Sequence, residues 1–287
     1  MGRNSNTETI VIINCLLNVP LIFISIIGNA LVLAAILRTP SLHSPSAVFL
    51  CLLAMSDLLV GFVTQPVYIA NSLKPHPSLH DAMFTLSTIT CGVSLVMMAV
   101  ISVDRFMALH YHMRYPELMT TKRAIYTSVT LWLVSILLSC LIFWNKDVFL
   151  FALATAIVIC ILISSLSYVQ IYRIVRQHQI QIHAQQQVMQ NLDAGDHDDV
   201  NMLRLKASAM NTFIYYMCMI LCYSPLLTSL LILSMYGKVT YAWDFADTVC
   251  YMNSSINPFL YCWRLSELRA ATLKIIRNML CKQSEEN

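Results

Sequence analysis

The sequence predicts an all-α protein, a bundle of seven helices that each cross a membrane, with a short amphipathic juxtamembrane helix after the seventh. Hydrophobic residues make up 57% of the chain and charged residues only 11%, whereas a soluble domain carries about 25% charge. The apolar residues form long blocks, several of them longer than the roughly 20 residues that a helix needs to cross the hydrocarbon layer. Such blocks exclude a transmembrane barrel, whose strands are about 10 residues of alternating polarity.

The blocks divide the chain, a single domain over 1–287, into seven spans. The segment 1–9 precedes them and a tail, 262–287, follows. The predicted spans are 10–37, 47–73, 82–110, 124–144, 148–176, 205–236 and 241–261. The split between the fourth and fifth spans, at 145–147, is the least distinct boundary.

The tail begins with a segment of helical periodicity. One face of that helix carries the apolar side chains and Thr272, and the basic residues lie off this face. The residues on the face are Leu265, Leu268, Thr272, Ile275, Ile276 and Met279. This pattern predicts a helix that lies on the inner membrane surface.

The basic residues predict the orientation. If the N-terminus is outside, only four of the 18 Lys and Arg residues lie in outer segments: Arg3, Lys74, Lys146 and Lys238. Because Lys and Arg favour the cytoplasmic side, we expect the N-terminus outside and the tail inside the plasma membrane. Residues 1–9 contain no cleavable signal, so the first span is expected to direct insertion. The net charge of +3 then reflects topology and not a nucleic-acid partner.

The ten cysteines do not form a disulfide pattern. Eight lie inside predicted spans, where a buried thiol is expected to serve as a small apolar side chain. Cys281 ends the juxtamembrane helix and is a candidate for palmitoylation, with an unmodified thiol as the alternative. The His- and Asp-containing segment 177–202 has no metal-ligand spacing, and no cofactor is expected.

Asp57 lies in the middle of the second apolar block. A carboxylate near the bilayer centre costs about 2.5–3.5 kcal/mol on insertion scales, so such a residue is normally functional. Asn253 and Asn257 are four residues apart and share a helix face, and Ser94 lies in the third span. These side chains are candidate partners for the carboxylate, either as a structural hydrogen-bond network or as an ion site.

Six of the seven spans also carry a motif at a characteristic place, and the ordered set is more specific than any member. The motifs are GN at 28–29, LAMSD at 53–57, DRF at 104–106, Trp132, CYSP at 222–225 and NSSINPFLY at 253–261. The set resembles the rhodopsin-like (class A) family of G-protein-coupled receptors over essentially the whole chain. The stretch from Asp104 to Arg123 resembles melanocortin and cannabinoid receptors, and the motif in the seventh span also resembles adenosine receptors. These likenesses indicate a place near the melanocortin, adenosine, cannabinoid and lysophospholipid branch.

The resemblance implies a receptor, not an enzyme, that passes an extracellular signal to a heterotrimeric G protein while surrounded by membrane lipid. It also implies that Asp57, Ser94, Asn253 and Asn257 bind an allosteric sodium ion. The residues that it implies for coupling and activation are Asp104, Arg105, Tyr168, Tyr223, Pro225, Asn257, Pro258 and Tyr261.

The sequence departs from the family pattern at several positions. Phe106 replaces the usual tyrosine, Tyr223 the usual tryptophan, and His80 stands where most relatives have a disulfide cysteine. Leu205 occupies the position of the acidic partner that locks the arginine in many relatives, so basal activity is an open question. A non-signalling decoy receptor is therefore one alternative, and a transporter or channel is another.

The ligand is not identified, and a small molecule, nucleoside, lipid or peptide all remain open. Ser87 occupies the aspartate position of aminergic receptors and Tyr251 that of the retinal-linked lysine of opsins, which weakens both classes. We expect a mostly apolar pocket with Asp247 as an acidic anchor for a cationic group. The alternative is that Asp247 is solvated beside Asp244. The candidate ligand-binding residues are Ser87, Cys91, Leu226, Leu227, Leu230, Asp247 and Tyr251.

Overall fold

The computed structural model describes residues 5–189, 196–237 and 242–285, and these residues form ten α-helices and no strand. The helices are α1 (Ser5–Arg38), α2 (Pro45–Leu59), α3 (Gln65–Leu73), α4 (Pro77–Tyr111), α5 (Tyr115–Leu118), α6 (Thr121–Cys140), α7 (Lys146–Met189), α8 (Asp196–Tyr236), α9 (Ala242–Arg264) and α10 (Ser266–Glu285). A π-helical turn, Val60–Thr64, joins α2 to α3. The second predicted span is therefore one continuous helix that contains a single wider turn.

Six helical segments of the described chain are long and apolar enough to cross a membrane. They are Glu8–Arg38, Pro45–Leu73, Pro77–Leu118, Thr121–Phe143, Lys146–Gln177 and Phe213–Tyr236. Large apolar side chains on α1, α6 and α7, such as Leu16, Leu137 and Phe151, are exposed. Exposed apolar surface of this extent is typical of helices that face lipid.

The seventh predicted span corresponds to α9, which is not among the six apolar segments. The reason lies in the many polar side chains that this short helix buries: Asp247, Thr248, Asn253, Ser254, Ser255 and Asn257 are all buried. α9 packs against α1 and α8. Its low hydropathy therefore reflects polar groups directed into the bundle.

The boundary between the fourth and fifth spans is set by Asn145. α6 ends at Cys140, a 3₁₀ turn follows at Leu141–Phe143, and α7 begins at Lys146. The side-chain oxygen of Asn145 accepts hydrogen bonds from the backbone N–H groups of Asp147 (2.9 Å) and Val148 (3.1 Å). Asn145 therefore caps α7, because it satisfies amides that have no partner within the helix.

The predicted apolar face of α10 packs mainly against the bundle. Leu268, Thr272 and Ile275 are buried, and α10 contacts α1 and α9. Met279, which the same pattern placed on this face, is exposed. The apolar periodicity thus correctly indicates a helix, but much of its apolar face packs against α1 and α9.

Helix α1 approaches α9 closely at Gly28. A Cβ atom at Gly28 would lie 2.8 Å from Cγ of Pro258, closer than carbon atoms can pack. Glycine at this position therefore permits the contact between the two helices.

Candidate functional site

Asp57 lies at the junction of α1, α2, α4 and α9 and is fully buried. Its Oδ1 accepts a hydrogen bond from Oγ of Ser94 (2.8 Å), and its Oδ2 accepts one from Nδ2 of Asn257 (2.8 Å). Oγ of Ser25 donates to the backbone carbonyl of Asp57 (2.8 Å). Two of its predicted partners thus contact the carboxylate, and Ser25 is a contact that the sequence did not reveal.

Asn253 is buried on the same face of α9 as Asn257, one helical turn away. Within the described chain, neither polar atom of the Asn253 amide has a hydrogen-bond partner, and Oδ1 of Asn257 has none. Buried polar atoms without a partner are costly. A carboxylate beside amide oxygens that accept no hydrogen bond is a donor set that suits a hard cation. The predicted set Asp57, Ser94, Asn253 and Asn257 therefore fits sodium in its chemistry.

A second polar cluster surrounds Asp104 near the C-terminal end of α4, on the side of the bundle where α1 ends. Its Oδ2 accepts from Nη2 of Arg105 (2.7 Å) and from Oγ of Ser46 (2.9 Å), and its Oδ1 accepts from the hydroxyl of Tyr115. Asp104 is 1% exposed and Arg105 is 24% exposed. This is the only ion pair among the residues that the structure describes, and Ser46 and Tyr115 fix its geometry.

Arg105 lines a cavity of about 460 Å³ on this side of the bundle. The Arg105 cavity lies between the C-terminal end of α1, the start of α2, α4 and the start of α10, with Ile36, Ser46, Ile101 and Leu268 among its lining residues. The arginine is therefore partly accessible from the end of the bundle where α1 ends and α10 begins.

The candidate switch residues of α7, α8 and α9 form aromatic contacts. Tyr261 stacks on Tyr215 with ring centroids 5.8 Å apart, and Tyr168 lies parallel to Tyr216 at 5.8 Å. Tyr215 and Tyr216 are adjacent in α8, so this segment connects α7 to α9. A movement of α8 would disturb both contacts.

Tyr223 and Pro225 lie further along α8. Tyr223 is 2% exposed, and its hydroxyl donates to the backbone carbonyl of Cys91 on α4 (2.8 Å). Pro225 is inside the helix, where it lacks an N–H group and breaks one backbone hydrogen bond. The missing backbone hydrogen bond at Pro225 thus lies two residues from Tyr223, whose hydroxyl is bound to α4.

Two cavities share Asp247, towards the end of the bundle where α1 begins. The Asp247 cavity has a volume of about 440 Å³, and a deep pocket of about 40 Å³ lies beside it. Met83, Phe84, Trp243 and Asp247 line both. Asp247 is 8% exposed. Asp244 is half-buried and lines the Asp247 cavity but not the deep pocket.

Five of the candidate ligand-binding residues line the deep pocket: Ser87, Cys91, Leu226, Asp247 and Tyr251. The hydroxyls of Ser87 and Tyr251 are hydrogen-bonded at 2.7 Å. Leu227 and Leu230 line neither of these two cavities. They belong to the packed apolar core instead, because only one face of α8 can be directed at the pocket.

The ligand-binding residues predicted from the sequence do not include the aromatic side chains near Asp247. The rings of Phe84 and Trp243 are 5.9 Å apart, and His80 makes an edge contact with Phe84 at 4.8 Å. Trp243, Asp247 and Tyr251 are spaced by four residues and hence share one face of α9. From this spacing, Trp243 could have been predicted to line the same cavity as Asp247.

A polar network joins α1, α3 and α9 next to the Asp247 cavity. Thr248 donates to the side-chain carbonyl of Asn14 (2.7 Å) and accepts from Nδ2 of Asn18 (2.8 Å), while Gln65 donates to Asn18 (3.2 Å). Nδ2 of Asn14 donates to the hydroxyl of Tyr68. All five side chains are buried, so these hydrogen bonds hold the three helices together.

All ten cysteines are free thiols. Cys15, Cys91, Cys160, Cys222 and Cys250 are buried as expected, whereas Cys140, also placed inside a span, is exposed at the end of α6. Cys281 is exposed on α10. Leu205 lies in a part of α8 whose side chains are outside the described residues.

Residues 28–147 match the family model described as 7 transmembrane receptor (rhodopsin family). The matched segment includes Asp57, Ser94 and the Asp104–Arg105 pair, whose contacts are given above. The chain is thus a multi-pass membrane protein, similar over this segment to rhodopsin-like G-protein-coupled receptors.

Proposed function

We propose that the protein is a plasma-membrane receptor, with its N-terminus outside, that transmits an extracellular ligand signal to heterotrimeric G proteins. The observation that carries this proposal is the Asp104–Arg105 pair, held by Ser46 and Tyr115 beside a cavity at one end of the bundle. A separate cavity lined by Asp247 lies at the other end. Ligand and G protein would then each favour one of two helix packings.

The α8 contacts support a mechanical link between the two ends. The Tyr223 hydroxyl binds the backbone of Cys91, which lines the deep pocket. Pro225 provides the flexible point in α8, and Tyr215 and Tyr216 pack on Tyr261 and Tyr168. Rotation of α8 at the proline would separate these rings and so change how α8 packs against α7 and α9.

The direct test is nucleotide exchange on purified G proteins, measured with the receptor alone and with ligands from a chemical screen. Ligand-stimulated exchange supports the receptor function. A native protein that binds ligand without any exchange would be a decoy receptor, the alternative suggested by Tyr223 and His80. We also propose that the protein lies near the melanocortin, adenosine, cannabinoid and lysophospholipid branch, so the screen should include nucleosides and lipids beside cationic compounds.

We propose that Asp57 and its neighbours form an allosteric sodium site. Asp57 would supply the anionic oxygen and Ser94 a hydroxyl, and the amide oxygens of Asn253 and Asn257 accept no hydrogen bond within the described chain. Sodium would neutralise the buried carboxylate and so stabilise the resting packing. The side chains that hold Asp57 come from α4 and α9, so the site would resist a relative movement of these helices.

Sodium chloride is expected to raise the melting temperature of the native protein above its value in choline chloride of equal concentration, because a ligand that binds only the folded state stabilises it. Asp57→Asn is expected to remove this difference. In the native protein, sodium should also lower agonist affinity by about fivefold or more, the lower range of allosteric coupling. Thr85→Ser, a conservative change on α4 at a residue that lines neither the deep pocket nor the Asp247 cavity, is the control. An equal response to sodium in the native protein and Asp57→Asn would refute the site.

We propose that the extracellular ligand carries a cationic group that binds Asp247. The carboxylate is buried beside Trp243 and Phe84, which line the same two cavities. Aromatic faces attract cations, and an ion pair gains strength where water is excluded. The remaining lining of the deep pocket is mostly apolar, and the adjoining Asp247 cavity, of about 440 Å³, has the size that is typical of small-molecule sites.

Asp247→Asn is expected to weaken a cationic agonist by at least about tenfold, or 1.4 kcal/mol, because the amide retains the shape and loses the charge. Asp244→Asn, three residues earlier in α9, is the matched control and is expected to have little effect. The measurement is agonist potency in the exchange assay. If neither substitution changes potency, the anchor lies elsewhere, and a lipid or nucleoside ligand becomes the better hypothesis.

We also propose Cys281 as the site of S-palmitoylation, since its thiol is exposed on α10. Acyl exchange chemistry on protein from cells should label the native chain and not Cys281→Ser. Cys140→Ser, which removes the exposed thiol on α6, is the control and should leave the label in place.

A further inference from the structure

A fourth cavity, of about 620 Å³, lies between the C-terminal end of α1 and one face of α10. We call it the α1–α10 cleft. Its polar side is formed by Arg38, Thr39, Lys274 and Asn278, and its apolar side includes Ile275 and Met279. None of the described residues that line it is acidic. The cleft is separate from the three cavities already described.

The positions of these residues follow from helix geometry. Lys274 and Asn278 are four residues apart on α10 and therefore lie on one face. Arg38 is in the last turn of α1. Both basic side chains are exposed, and neither forms an ion pair with the described residues. Two cations that form no ion pair with a described residue thus line one opening, together with two further polar side chains.

The cleft lies where the apolar surface of α1 ends. Arg38 is the final residue of a membrane-capable segment, Glu8–Arg38. Phe23, Ile27 and Leu37 are exposed along α1, and their spacing keeps them close to one face. A molecule with hydrocarbon chains along this face would bring its polar end to Arg38.

We propose that the α1–α10 cleft binds the headgroup of an anionic phospholipid from the leaflet that Arg38 reaches. Arg38 and Lys274 would contact the phosphate, because guanidinium and ammonium groups donate to phosphate oxygens. Thr39 and Asn278 would contact the remaining headgroup atoms. The glycerol region would pack on Ile275 and Met279, and the acyl chains would follow the exposed face of α1. The proposal does not depend on ligand binding or G-protein coupling.

The test uses the purified full chain in detergent micelles, to which phosphatidylserine or phosphatidylcholine is added. Bound lipid is counted by native mass spectrometry. The native protein is expected to bind phosphatidylserine about tenfold or more in preference to phosphatidylcholine, since each basic residue near a membrane surface favours anionic lipid. Arg38→Gln/Lys274→Gln is expected to lose most of this preference, and Lys274→Arg alone is expected to keep it.

Arg269→Gln/Arg277→Gln is the matched control, because it removes two exposed cations of α10 that do not line the cleft. This variant should keep the native preference. An equal loss in both double variants would show a general charge effect and overturn the proposal, as would equal binding of the two lipids by the native protein. Displacement of phosphatidylserine by inorganic phosphate alone would show a phosphate-ion site and also overturn it. Melting curves establish that each variant is folded, and Lys274→Gln alone replaces the double variant if that does not fold.

Discussion

Arg105→Ala is expected to abolish agonist-stimulated nucleotide exchange, with a loss of at least about tenfold, or 1.4 kcal/mol. Arg105 is the cation of the described ion pair and lines the Arg105 cavity, so its guanidinium is available to a protein that enters there once Asp104 releases it. Ligand binding and surface expression should remain largely intact, because Asp104 keeps its hydrogen bonds from Ser46 and Tyr115. The measurement is exchange on purified G protein at saturating agonist.

Arg173→Ala is the control for this experiment. Arg173 is an exposed basic residue on α7, on the side of the bundle predicted to be cytoplasmic, so its loss removes a similar charge without touching Asp104. Exchange should then stay within about twofold of native, as is usual for substitutions of exposed residues. Full exchange by Arg105→Ala would argue for a different coupling surface.

Gly28→Ala is expected to destabilise the protein by about 1–3 kcal/mol, the usual cost of overpacking. The added Cβ atom would lie 2.8 Å from Cγ and 2.9 Å from Cβ of Pro258, and the proline ring cannot move away without shifting α9. The melting temperature in detergent should fall, and the yield of folded protein at the cell surface should fall with it.

Gly92→Ala makes the same chemical change where space is available. A Cβ atom at Gly92 would meet nothing within 4 Å, and alanine favours a helix interior over glycine by up to about 1 kcal/mol. The two substitutions are therefore expected to change stability in opposite directions. A similar loss in both would mean that glycine is required in these helices for a reason other than close packing.

The helical fold was predictable because hydropathy reports it directly. Apolar blocks of sufficient length mark six helical segments, and the sequence also predicts the span of α9, although its buried polar side chains lower its hydropathy. The π-helical turn at Val60–Thr64 could not be predicted, since it depends on how α2 and α3 pack against α1 and α4. Helix ends were uncertain by a few residues because the spans continue beyond the expected hydrocarbon thickness.

The candidate sites were predictable in part. Asp57 was conspicuous as a charge in an apolar block, and its contacts with Ser94 and Asn257 agree with the residues that the family resemblance indicates. Ser46 and Tyr115 could not be assigned to Asp104, because they come from other elements and their residue types are common. Whether these residues bind sodium or a G protein stays a prediction.

The same limit applies to the network of α1, α3 and α9. Asn14, Asn18 and Gln65 are isolated polar residues in apolar segments, and Thr248 is 230 residues from Asn18 along the chain. A single sequence does not show which distant helices meet. Only the fold brings these amide groups together.

The network of Asn14, Asn18, Gln65, Tyr68 and Thr248 has a practical consequence for handling the protein. Hydrogen bonds between amide and hydroxyl groups hold α1, α3 and α9 together, and the cysteines are free thiols. Dithiothreitol breaks disulfides and does not affect such hydrogen bonds. We therefore expect the protein to fold in reducing cell-free translation mixtures, and to keep its shape in buffers that protect its thiols from oxidation during purification.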